Sequence, residues 1–127
     1  MSKEKIELTL TIPLSKNDIS DIIVTALEGG INYWAKSARP ENNDYSGADF
    51  ASDVIGEGGT LIIVPDEDSG EEPKELNLEN FKIGLAKWMT EQGRLDLVGG
   101  VIDTGCIDAD DADQIIQFAL FGEIIYG

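Results

Sequence analysis

A chain of 127 residues with 42% hydrophobic side chains is long enough to bury a core, yet it carries 25 acids against 9 bases, a net charge of −16. Its isoleucine-rich apolar content excludes a wholly disordered acidic chain, and the lack of histidine excludes His-dependent triads, Cys-His pairs and the usual zinc sites. No apolar run approaches the ~20 residues of a membrane span, and the opening MSKEKIELT lacks a signal peptide's hydrophobic stretch. Cys106 has no second cysteine to pair with, which fits a reducing compartment.

In chain order, Ile6, Leu8, Leu10, Ile12 and Leu14 alternate with polar residues and Pro13, a period-two pattern that predicts a first strand with one buried face. Ser15 caps a helix, with Asp18 as its reciprocal partner. Ile19, Ile22, Ile23, Ala26 and Leu27 form that helix's apolar stripe, and Gly29-Gly30 ends it by supplying a left-handed conformation. Ile31 to Ala38 reads as a second strand pairing with the first. Residues 39–59 form a polar loop with a helical turn around Gly47 to Asp53, and Thr60 to Val64 is a short buried strand.

Pro65 to Pro73 (PDEDSGEEP) is an acidic turn, and Lys74 to Leu76 returns as a hairpin strand. Asn77 caps a helix with Leu78, Phe81, Leu85, Trp88 and Met89 on its apolar stripe and Gly93 as its stop. Leu95 to Ile102 is apolar, but Gly99-Gly100 leaves its state open. Asp108, with Asp111, caps a last helix; Asp110, Asp111 and Asp113 are assigned to its positive dipole end. Ala112, Ile115, Ile116, Ala119 and Leu120 give that helix its buried face, Gly122 ends it, and Glu123 to Tyr126 reads as a terminal strand. The expected fold is a single α+β domain over residues 1–127, two-layered, with a mainly antiparallel sheet and about three helices on one face.

The charge is uneven. Residues 1–40 balance to zero, residues 41–75 carry −10 and residues 76–127 carry −6. Such a field repels nucleic acid, so direct DNA or RNA binding is not expected. It can instead solubilise the chain, or imitate nucleic acid toward a basic partner, and both readings stand at this point. The partner-directed reading places its face on Asp66, Glu67, Asp68, Glu71 and Glu72.

Other constellations carry less chemistry. Gly29, Gly30, Tyr33 and Trp34 could hold a flat ligand by stacking, or could be a helix stop followed by a strand. Gly56-Glu57-Gly58-Gly59 precedes a strand and has no P-loop lysine, so a nucleotide fingerprint is rejected. Two acidic clusters, Asp66/Asp68/Glu71/Glu72 and Asp103/Asp108/Asp110/Asp111, lack the spacing of a calcium loop, and no metal or cofactor is expected. Chance carboxylate pairs are unavoidable with 25 acids, and Cys106 has no histidine to activate it. No enzymatic activity is expected.

The stretches Ala26 to Trp34 (containing GGINYW) and Asp108 to Gly127 (DADDADQIIQFALFGEIIYG) resemble a recurrent group of small uncharacterised accessory proteins of tailed phages and prophages. That resemblance implies a bacterial-host cytoplasm and an accessory phage role, and it carries no site residues. Together with the charge, it leads to an expected inhibitor of a host nucleic-acid-handling defence factor, of anti-CRISPR or anti-restriction type, whose partner is a host protein with a basic surface. The alternatives are a nucleotide-signal sponge using Gly29, Gly30, Tyr33 and Trp34, or a virion or assembly component. A homodimer through an exposed sheet edge is a further expectation, and membrane association is not expected.

Overall fold

Each of the three α-helices begins with a side chain that turns back on its own backbone. In the computed structural model, which describes residues 5–94 and 97–127, α1 (Lys16–Thr25) is capped by Ser15, α2 (Leu78–Glu91) by Asn77 and α3 (Ala109–Phe121) by Asp108. Asp18, Asn80 and Asp111 reciprocate, so each start satisfies two N–H groups that would otherwise be orphaned. The expected apolar stripes are the buried faces: Ile19, Ile22 and Ile23 on α1, Phe81, Leu85, Trp88 and Met89 on α2, and Ala112, Ile115 and Ile116 on α3. Leu27, Leu78, Ala119 and Leu120 lie at the margins, half-buried. None of these helices is long and apolar enough to cross a membrane.

Strands β1 (Ala35–Pro40), β2 (Leu61–Pro65) and β3 (Lys74–Leu76) form an antiparallel sheet with β2 in the middle. Arg39 and Glu75 both lie opposite Ile62, on either side of it. Leu61, Ile63 and Leu76 face the core. A second, two-stranded ribbon pairs β4 (Leu97–Val98) with β5 (Val101–Ile102). Gly99 and Gly100 turn it at φ 61° and 79°, the left-handed values that a tight hairpin requires. The open segment 95–102 is thus a hairpin over residues 97–102, residues 95 and 96 lying outside the described part. The architecture is α+β, as expected.

Four local expectations are corrected. Residues 5–14 are not a strand: among the described residues no backbone hydrogen bond joins them to a neighbour, and β1 takes β2 as its partner instead. Ile12 and Leu14 rest on the core, whereas Ile6, Leu8 and Leu10 stay exposed. The second strand begins only at Ala35, because Trp34 and Ala35 donate back to the Ile31 carbonyl and close a turn. Glu123 to Tyr126 is not a strand either; its backbone is held by a side chain described below.

The fourth correction concerns Gly29-Gly30. α1 does not stop there on a left-handed residue but widens into a π-turn, Ala26–Gly30, and neither glycine has positive φ. Gly30 is required by space instead: a Cβ there would lie 2.8 Å from the Ala109 carbonyl oxygen at the start of α3. Gly84 plays the same part between α2 and α3, where a Cβ would sit 2.5 Å from the Ala119 nitrogen and 2.6 Å from its Cα. The obstacle is helix backbone, which cannot swing aside. Gly84→Ala is therefore expected to destabilise the protein, an overpacking cost of ~3 kcal/mol exceeding the gain in helix propensity of ~1 kcal/mol. A lower urea midpoint with an unchanged slope would show it; an unchanged or higher midpoint would refute it.

Candidate functional site

The double-glycine segment and the end of the chain meet at one buried carboxylate. Asp113, five residues into α3 and 7% exposed, accepts hydrogen bonds from Trp34 Nε1 at 2.7 Å, Tyr33 Oη at 2.6 Å and Gln117 Nε2 at 2.9 Å. Three donors converge on the carboxylate, which offsets the cost of burying it. Gln117 is fully buried and works in both directions. Its Nε2 donates to Asp113, and its Oε1 accepts the Ile125 and Tyr126 N–H groups at 2.8 Å each. That side chain substitutes for a strand partner at the terminal segment.

Trp34 is consequently a structural residue. It is 2% exposed, stacks on Tyr126 with centroids 4.8 Å apart and meets Phe121 edge-on at 5.8 Å. Its ring faces are spent inside the protein, which removes it as a stacking platform for a flat ligand. Gly29 borders open space, and Gly30 is packed against α3. Tyr33 keeps 54% exposure, but its hydroxyl points inward to Asp113. Burial of that hydroxyl, then the Asp113 hydrogen bond and charge, push the Tyr33 pKa up to about 12. The expected ligand set Gly29, Gly30, Tyr33 and Trp34 is thus gathered locally, with only Tyr33 presenting a ring to solvent.

The acidic set lies at the opposite character of site, on the surface. Asp66, Glu67, Asp68, Glu71 and Glu72 are all exposed on the β2–β3 hairpin. Its conformation is fixed internally. Asp66 N–H donates to the Trp34 carbonyl, the Ser69 N–H and hydroxyl both donate to the Asp66 carbonyl, and Gly70 takes φ 77°. Lys36 pairs with Glu67 at 2.8 Å, which lowers the Glu67 pKa and raises that of Lys36 through their hydrogen bond and mutual attraction. Among the described residues no ion pair engages Asp66, Asp68, Glu71 or Glu72.

Two acids that the sequence did not single out extend this surface. Glu41, just beyond β1, approaches Glu75 on β3, and a hydrogen bond between the two carboxyl groups, reinforced by repulsion, raises the Glu41 pKa. Antiparallel register across three strands brings them together, a relation invisible until the pairing is known. Other acids are occupied by the fold. Asp53 accepts from Ser20, Glu57 pairs with Lys16, Asp21 accepts from Thr104, and Asp111 pairs with Arg94 at 3.0 Å. Asp113, expected at the helix dipole, is the buried acceptor already described. Among the described residues no three acids or cysteines are arranged to hold a metal ion.

Comparison with protein-family models, with curated proteins and with solved structures finds no match to this chain.

Two outcomes follow from the buried network. Asp113→Ala strands the Trp34, Tyr33 and Gln117 donors and is expected to cost about 3 kcal/mol or more, read as a lower urea midpoint. Folding also favours the neutral Tyr33 phenol, so its contribution is complete below pH 10 and is lost as the pH rises through about 12. Ultraviolet titration should show one of the three tyrosines ionising near pH 12, and that step should vanish in Tyr33→Phe.

Proposed function

We propose that this protein is a non-catalytic acidic binding protein whose β2–β3 hairpin docks on a basic surface of another protein. The observation that carries the reading is the contrast among its acids. Asp18, Asp108 and Asp111 cap helices, Glu57 pairs with Lys16 and Asp113 is buried, whereas the hairpin gathers within seven residues four exposed carboxylates with no ion pair among the described residues. Glu41 and Glu75 add a like-charge pair that an approaching cation would relieve.

A cationic groove built for phosphates offers such an acidic edge the closest complement, with fast steered association and release of counterions as its gains. The resemblance of the two sequence stretches to phage accessory proteins directs the proposal further, to a host nucleic-acid-handling defence factor such as a CRISPR effector or restriction enzyme in the bacterial cytoplasm. In this reading the hairpin carboxylates stand where backbone phosphates would lie. The protein itself binds no nucleic acid.

The test is direct binding to purified restriction and CRISPR effector complexes, with duplex DNA as competitor. Binding should be displaced by DNA and should weaken steeply between low and moderate salt, where the screening length falls to ~10 Å. Reversal of Asp66, Glu67, Asp68, Glu71 and Glu72 to lysine should slow association by about 10- to 1000-fold. Unchanged binding after that reversal would overturn the proposal.

A further inference from the structure

Residues 5–14 pose a separate problem. The alternation from Ile6 to Leu14 is the pattern of a strand with one apolar face, yet Ile6, Leu8 and Leu10 are 99%, 82% and 53% exposed. Their backbone groups find no strand partner among the described residues. Beside the arm runs an apolar groove of about 970 Å³. Leu8, Leu10 and Ile12 line one wall, and Leu78, Leu85 and Met89 of α2 line the other. An extended arm whose backbone has no partner among the described residues on one side, and the margin of α2 on the other, leave room for one more extended segment.

We propose that this groove receives the same arm from a second copy of the chain, so that two protomers exchange residues 5–14 as an antiparallel ribbon. Three observations select a second copy. The pattern is self-complementary: antiparallel pairing about a two-fold axis sets residues of equal parity opposite one another, so both apolar sets fall on the face turned toward α2. The charge is complementary too. Among the described residues, Lys16 and Lys82 are the charged residues lining the groove and no acid lines it, so a second chain of net charge −16 meets a cationic lining there.

The third observation is where the excess charge lies. Two bodies at −16 each repel, but in residues 5–14 Lys5 and Glu7 cancel and the described groove lining holds two lysines, so arm and groove form a face on which two copies approach at low electrostatic cost. Arm and lining residues together number roughly twenty per protomer, the lower end of a stable interface. This pairing differs from the hairpin's reading in sign: an apolar contact between like-charged bodies strengthens as salt rises, whereas docking of the acidic hairpin weakens.

Sedimentation equilibrium of the full chain decides it. The mass should approach twice 13.8 kDa, with the dimer fraction rising as salt is added. Leu8→Lys should weaken association by about 100-fold, with an unchanged far-UV spectrum because Leu8 is solvent-exposed in the single chain. Leu8→Ile should restore it. A species of 13.8 kDa that persists at ~100 µM protein and ~0.5 M salt would overturn the proposal, as would a dimer that Leu8→Lys leaves intact.

Discussion

The constraint on which the fold turns is the burial of one carboxylate. Asp113 cannot sit inside α3 unless Trp34, Tyr33 and Gln117 all reach it, and each of those side chains then fixes a different part of the molecule. Trp34 fixes the turn leading into β1 and, through its carbonyl, the first residue of the acidic hairpin. Gln117 fixes the terminal segment and so brings Tyr126 down on Trp34. The inner network and the outer hairpin are thus two ends of one connection. A charged group in the core holds the surface charges in place.

What the sequence made legible was local. Ser15 with Asp18 and Asp108 with Asp111 act over three residues, and the apolar stripes repeat within each helix, so neither depends on the rest of the chain. Asp113 reads as a dipole acid because its sequence neighbours are acids near a helix start, whereas its partners are 79 and 80 residues away. Its place one step from Ala112 and four from Gln117, on the buried stripe, was the available signal. Glu41 and Glu75 escaped notice for a related reason, since strand register alone joins them.

The strand expectations failed at both ends for the same physical cause. Alternation announces that one face will be covered, but not by what. At Ile125 and Tyr126 a glutamine side chain supplies the hydrogen-bonding partner. At Ile6 to Leu10 the described residues supply none, and those three apolar side chains remain exposed. The glycines show the converse ambiguity: Gly99, Gly100 and Gly122 are there for left-handed backbone, whereas Gly30 and Gly84 are there because another helix is too near.

That nearness has a mechanical consequence for α3. Gly30 lies against its first residue, Ala109, and Gly84 against Ala119, ten positions and ~15 Å further along. Two pinned points remove tilt and sliding, and the inward hydrogen bonds of Asp113 and Gln117 block roll. With its axis locked in this way, α3 is a poor lever for relaying a rearrangement. The packing leaves freedom to rearrange at the periphery, where the chain is not clamped.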